Sequence, residues 1–356
     1  MVDLMPDLMT NPGIRPVILF FVFLAGLSVG SFLNVVALRF LADQEIINKP
    51  SHCPKCQAPI APVDNIPVVS YVLLGGRCRH CKEPISIQYP LTELATGVLF
   101  VVMVAFFGVS LQTLFWLFFI SNLIVIFITD WRESLIFQIN SLSLIPAGLL
   151  MNLFNLAHLP GSTTVDLGML TVAIPDAFIS ALIGIVISVV FFEGMILISN
   201  AVFGTEGFGH GDTHLMMGVG AFLGWQRMAL ALVLGFLIQL IPAVPILVVQ
   251  WVREKRWVSL ISGAVSVVTA ITPLAFVLNP HLLEGKTSLL NAIELGCIGT
   301  SLVALFVFLK NIKSSQSFTY LPLGPALVLG SLVALLWGRD AVGFLHLVFV
   351  QMAARG

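Results

Sequence analysis

Charge is what this chain has least of. Of 356 residues only 17 are Lys or Arg and 18 are Asp or Glu, while 58% are hydrophobic, and the mean hydropathy is +1.02. That poverty of charge excludes a soluble globular protein and fixes an integral membrane class. A basic excess is missing too. The net charge is −1 and no cationic stripe exists, so nucleic acid is excluded as a partner and membrane lipid is the expected surrounding. The first apolar run, Val17 to Leu38, lacks a small-x-small cleavage site and exceeds a signal h-region, so it reads as a retained span. No internal repeat, coiled-coil heptad or low-complexity tract stands out.

What is present is apolar length. Runs over 16–38, 90–109, 111–129, 135–157, 174–203, 213–224, 228–250, 257–278, 288–309 and 322–338 predict an all-α polytopic membrane protein with about eight to ten transmembrane helices. The 213–224 piece is too short to span unaided. Acidic Asp3 and Asp7 precede the first run and Arg39 follows it, which places the N-terminus outside and residues 39–88 in the cytoplasm. Threading all ten helices from that start leaves twelve of the 17 basic residues inside, which supports the orientation. The expected organisation is a first transmembrane helix (1–38), a cytoplasmic metal-binding loop domain (39–88) and a polytopic catalytic domain (89–356). Residues 158–173 read as a polar external loop.

Four of the five cysteines fall in the 39–88 insert, as Cys53-Pro54-Lys55-Cys56 and Cys78-Arg79-His80-Cys81. The spacing C-x2-C-x21-C-x2-C is that of a small zinc-ribbon-like module. In a reducing cytoplasm Cys53, Cys56, Cys78 and Cys81 would bind one structural zinc, whose four thiolates leave no open position for water. Two disulfides are the alternative and require the opposite topology. Cys297 reads as a small core residue.

The chemistry-bearing pair is Asp130, which ends an apolar run, and Asp212, which closes Gly207-Phe208-Gly209-His210-Gly211-Asp212. Charge in a span is costly, so such groups are functional candidates. In the threading both aspartates emerge at the cytoplasmic face. Two close carboxyls cannot both ionise cheaply and hold one proton between them, which is the machinery of aspartic proteolysis. Gly207, Gly209 and Gly211 are read as an active-site loop whose backbone lets a substrate chain approach. Taken singly, Asp130 is as readily a loop residue paired with Arg132, and Asp212 a helix N-cap. A proton-coupled transporter is the rival class, since acids in spans also build proton relays.

Beyond the pair, the chain resembles the type IV prepilin peptidase family over most of its length. Gly30-Ser31-Phe32-Leu33-Asn34-Val35 is similar to that family's first-helix signature. Ser51 to Cys56, Asn65-Ile66-Pro67, Gly76 to Cys81 and Gln88-Tyr89-Pro90-Leu91-Thr92-Glu93-Leu94 follow its cytoplasmic loop. Glu206 to Leu215 and Gly220 to Trp225 match its second aspartate segment, and Pro322-Leu323-Gly324-Pro325 its C-terminal Pro-Phe-Gly-Pro. The resemblance implies a bifunctional enzyme of the bacterial inner membrane. Asp130 and Asp212 would cut the leader of a prepilin or pseudopilin at the cytoplasmic face, and the new N-terminus would then be methylated using S-adenosylmethionine. No soluble-type glycine fingerprint locates that cofactor, whose site is left unassigned. A presenilin-like protease shares a glycine-x-glycine-aspartate motif but not the cysteine island. A catalytically inactive assembly factor of a pilus or secretion system is the remaining alternative.

The departures are local. Where the family continues with a second acid and then Leu-Pro-Asp, this chain has Trp131-Arg132-Glu133-Ser134-Leu135-Ile136-Phe137-Gln138. His214 stands in place of the usual lysine and His210 in place of a frequent tyrosine, and 250–310 is longer than in a minimal member. Glu93 either lines a methyltransferase or substrate site or is an acid facing its helix N-terminus. Glu193, mid-helix among Phe191, Phe192 and Met195, is either paired inside the bundle or part of a polar cavity.

Overall fold

The computed structural model describes residues 10–45, 51–154, 162–166, 171–203, 209–255 and 322–353, with isolated positions at 257, 258, 261, 262, 265 and 300. In chain order the helices are α1 (Ile14–Leu41), the short α2 (Val69–Leu73), α3 (Gln88–Phe107), α4 (Leu111–Glu133), α5 (Gln138–Leu153), α6 (Asp176–Phe203), α7 (His210–Arg253) and α8 (Gly324–Ala353). Five of them are long and apolar enough to cross a membrane, namely α1, α3, α4, α6 up to Ala201, and α7; Gly324–Gly338 is a shorter apolar helix. Helix α7 is two helices in one, bent at Gly224 (φ 75°, ψ 170°), which is where the apolar runs 213–224 and 228–250 divide. The expected spans over 257–278 and 288–309, and Cys297, lie almost wholly outside the described residues. Within the expected external loop, β1 (Ser162–Asp166) pairs antiparallel with β2 (Thr171–Pro175), Ser162 opposite Pro175.

The chain divides into two compact units, residues 1–198 with 206–238 and 322–356, and residues 199–205 with 239–321. Of the second, the described part is chiefly the C-terminal end of α7, where Gln250 Nε2 donates to Glu254 Oε1 at 3.2 Å.

In the first unit the helices carry exposed Phe20 and Phe21 on α1, Val186 and Val190 on α6, and Val233 and Leu237 on α7. Apolar surface on every side is the mark of helices solvated by lipid. Lipid supplies no hydrophobic drive for helices to associate, so close backbone packing must do it. Gly26 and Gly30 do this on α1: a Cβ at either would come within 3 Å of Gly97 Cα or Glu93 Cα on α3. Polar side chains add interhelical bonds. Asn34 Nδ2 donates to Tyr89 O at 3.2 Å, Asn152 Nδ2 to Ala221 O at 2.8 Å, and Ser188 Oγ to Met216 O at 2.9 Å. Bonds of this type average only about 0.6 kcal/mol in membranes. They fix register, and packing supplies most of the cohesion.

The core centres on α4 and α7. Phe119 and Phe222 meet in a tilted contact at 4.7 Å between ring centroids, and Trp116 leans on Phe222 at 5.7 Å. Ser110 begins α4 by accepting the Thr113 N–H at 3.2 Å. Ser134 ends it in the left-handed region (φ 52°), its N–H returning to Asp130 O at 2.9 Å.

Candidate active site and metal centre

The aromatic contact sets the depth of both aspartates. From Phe119, α4 rises about three turns through buried Leu123 and Ile126 to Asp130. From Phe222, α7 runs back about three turns through buried Val219 and Leu215 to Asp212. Antiparallel helices joined at that contact must bring the two acids to one level. Both are buried, Asp130 at 5% exposure and Asp212 at 6%, and they lie close enough to interact electrostatically. The turn after Asp130 strengthens the approach. Ile136 lies against Gly211, where a Cβ would come to 2.8 Å, and Phe137 stacks on Phe40 of α1 at 5.1 Å. The segment that departs from the Leu-Pro-Asp pattern is therefore held by packing.

A third segment joins them. The Gly324 N–H, at the start of α8, donates to Asp130 Oδ2 at 2.8 Å. A helix N-terminus is a favourable neighbour for negative charge. Gly324 is also the only residue type that fits, since a Cβ there would lie 2.5 Å from Asp130 Oδ2. The proline-glycine motif at 322–325 thus has a structural role at the site that spacing alone did not disclose.

The glycine stretch differs from an extended loop. Helix α7 begins at His210, which places Gly211 and Asp212 in its first turn and leaves Gly209 just ahead of it. Gly207 lies outside the described residues. The reason is local: Asp212 N–H bonds to Gly209 O at 3.1 Å, closing the first turn. The first turn is clamped from α6, as Glu193 Oε1 meets His210 Nδ1 at 3.0 Å and accepts the Thr213 hydroxyl at 3.1 Å. Glu193 is thus paired, at a partly exposed position and not deep inside the bundle, and its partners flank Asp212. His214 keeps its Nδ1 buried without a hydrogen-bond partner among the described residues.

The cysteine island forms a second centre. Sγ atoms of Cys53, Cys56, Cys78 and Cys81 all lie within 4.8 Å of one another, and all four thiols are free. Each pair sits in the same small knuckle. Cys53 N–H donates to Ala58 O at 3.0 Å and Gln57 N–H to Cys53 O at 2.9 Å; Cys78 N–H donates to Glu83 O at 2.9 Å and Lys82 N–H to Cys78 O at 3.1 Å. Gln57 and Lys82 take matching φ values of 59° and 61°. This duplication is written in the sequence, where Cys-x-x-Cys-x-x-Pro-Ile occurs at 53–60 and again at 78–85. The absence of any internal repeat, as first read, is therefore corrected at this short range.

Backbone N–H groups of Cys56 and Lys55 bring the Cys53 thiol down to about 7, and those of Cys81 and His80 lower Cys78. Against the Glu83 N–H, burial and the surrounding sulfurs push Cys81 up to about 12. Four crowded thiols cannot all ionise without a cation among them, so the donor set suits a metal ion. Arg79 grips Asp64 through two hydrogen bonds, with Nε to Oδ2 at 2.7 Å, and braces the second knuckle against the 3-10 turn Pro62–Asn65.

Comparison with known proteins places the sequence in a family. Residues 24–107 match the bacterial peptidase A24 N-terminal domain and residues 117–244 the type IV leader peptidase family. A prepilin leader peptidase/N-methyltransferase of Klebsiella pneumoniae is 36% identical over 220 residues, covering 60% of this chain and 89% of that protein. The chain belongs to the type IV leader peptidase family. A prepilin leader peptidase/N-methyltransferase of Myxococcus xanthus is 37% identical over 213 residues, but the match spans only 58% of that protein's length. One from Aeromonas hydrophila is 33% identical over 241 residues. No solved structure matches the chain.

As a member of the leader peptidase family, the chain should be sensitive at Gly324. Gly324→Ala is expected to displace the Asp130 carboxylate and lower peptidase kcat by roughly 10²-fold, with KM little changed. Steady-state kinetics on the purified variant checks this; unchanged kcat would remove the Gly324 contact from the site.

Proposed function

We propose that this protein is a prepilin peptidase that cuts the leader of a prepilin or pseudopilin and then methylates the new N-terminus. The observation that carries the first step is the convergence of α4, α7 and α8 on two buried acids, Asp130 and Asp212. Asp130, ionised, draws a proton from water, which attacks the scissile carbonyl. Asp212, protonated, donates a hydrogen bond to the carbonyl oxygen as it gains charge. Collapse of the tetrahedral species returns a proton to the leaving amine, and the pair again holds one proton. Gly209 and Gly211 are the active-site backbone at this point, and Gly207 belongs to the same stretch of sequence. The substrate presents its cut point by docking its apolar helix among the enzyme's own. The active site faces the cytoplasm, with the N-terminus outside the bacterial inner membrane, an orientation supported by the basic bias of the 39–88 segment.

Residues 39–88 form the metal-binding domain in this reading, and the metal is zinc. Sulfurs placed tetrahedrally at about 2.3 Å from zinc lie about 3.8 Å apart, and Cys53 Sγ and Cys81 Sγ are separated by 3.8 Å. Cys53, Cys56, Cys78 and Cys81 hold it, and it stabilises the insert. S-adenosylmethionine is the methyl donor, and it supplies an electrophilic methyl group. A cavity of about 640 Å³ between the cysteine knuckles, α1 and α3 suits a ligand of that size, with Tyr89 and Arg39 in its wall.

Two measurements test this reading. Asp130→Asn and Asp212→Asn should each abolish prepilin cleavage in detergent while leaving the protein folded; full cleavage by either variant contradicts the assignment. Elemental analysis of the purified chain should find one zinc per polypeptide, lost in Cys53→Ser; a metal-free wild type contradicts the zinc centre.

A further inference from the structure

The cavity beside the cysteine knuckles has a chemical peculiarity that the peptidase step does not use. Three carboxylates stand in its wall. Asp64 belongs to Arg79, and Glu83 to Lys55 at 3.8 Å. The third, Glu93, is buried at 7% exposure on the second turn of α3. Its partners among the described residues are both neutral. Oε2 accepts the Val68 N–H at 2.7 Å, and the Ser31 hydroxyl of α1 also bonds the carboxylate.

Holding that arrangement requires effort from the chain. Val68 sits at φ 62°, ψ −49°, a conformation that β-branched residues avoid. Its N–H is aimed at Glu93 from there. Gly30 lets α1 close directly onto the Glu93 backbone, with a Cβ at Gly30 falling 2.8 Å from Glu93 Cα. Of the three arginines in the wall, Arg79 is held by Asp64, Arg132 donates through Nε to Gln88 Oε1 at 2.8 Å and Arg39 through Nη1 to the Glu45 carbonyl at 3.4 Å. A buried carboxylate held by neutral donors in an open cavity is built to receive a cation.

The position of the cavity indicates which cation. Arg132 lies two residues beyond Asp130 on α4 and forms part of the wall, so the cavity borders the place where peptide cleavage generates a new amine. We propose that Glu93 receives the α-ammonium group of the newly exposed N-terminus. This rests on the methylation reading above. The carboxylate pairs with the ammonium and takes one of its protons, leaving a neutral amine. The nitrogen lone pair then forms the new N–C bond while the donor's C–S bond breaks with its electron pair on sulfur. The product is a methylated ammonium and a neutral sulfide. Glu93 is accordingly a binding and proton-accepting residue for the second step.

The test uses the full chain in lipid nanodiscs and two probes, an apolar peptide amide with a free N-terminus and its N-acetylated twin. Wild type is expected to bind the free-amine peptide at least about tenfold more tightly, and Glu93→Gln, with its cysteine-bound metal intact, to bind the two equally. Equal binding by wild type, or a preference retained in Glu93→Gln, overturns the proposal. A second measurement needs no variant. Labelling of wild-type Glu93 by an apolar carbodiimide, read by mass spectrometry, should be blocked by the free-amine peptide and not by its acetylated twin. Protection by S-adenosylmethionine in place of the free amine would also overturn it, since the sulfonium would then be the cation. Neither readout involves methyl transfer, so a wild type without methylation would contradict the proposed second step and leave the assignment of Glu93 to be judged on binding.

Discussion

Two acids must be held together at the end of an apolar bundle, and that constraint organises the rest of the molecule. Removing a lone carboxylate from water is costly, and bringing a second beside it adds repulsion unless they hold a proton in common. The structure meets this demand with rigid elements. Helices α4 and α7 are locked three turns away by Phe119, Trp116 and Phe222. Their ends are then tied by Ile136 against Gly211, by Glu193 across the first turn of α7, and by the Gly324 N–H. Each contact comes from a different segment. The position of each acid is therefore fixed by contacts from more than one helix.

The N-terminal half solves a different problem. A polar insert of this length cannot build a hydrophobic core, and its cohesion comes from two copies of one knuckle around four sulfurs, braced by Arg79 and Asp64. It is joined to the bundle through the end of α1 and the start of α3, helices whose backbones Gly26 and Gly30 bring into contact. Glu93 stands at that junction, and Arg132 links the junction to the helix carrying Asp130. In the proposed scheme the two chemical steps share a boundary while using separate groups.

Much of this could be read from residues alone. Apolar runs located the helices, including the division of α7 at Gly224, because hydrocarbon length is a direct sequence property. The four cysteines and both aspartates stood out because each is rare in its surroundings. Other features were hidden because they depend on tertiary contact. Nothing local says that Gly324 must touch Asp130, or that Glu193 will reach His210 and Thr213. Alternating glycines suggested extended chain, yet the helix starts at His210, because the Gly209 carbonyl closes its first turn and Ile136 needs Gly211 small. The β1–β2 pairing also lacked a pattern strong enough to separate it from loop. The knuckle repeat is legible in the sequence, but two copies of eight residues are too few to mark a repeat architecture.

The most direct test of the account is proximity of the two acids in the folded membrane protein. Asp130→Cys and Asp212→Cys combined in one chain, treated in membranes with a short bifunctional thiol reagent, should yield a linked peptide pair by mass spectrometry, with no link when either cysteine is absent. Failure to link them, in a protein whose knuckle cysteines still hold metal, would show that Asp130 and Asp212 do not form one site and would contradict the shared catalytic centre.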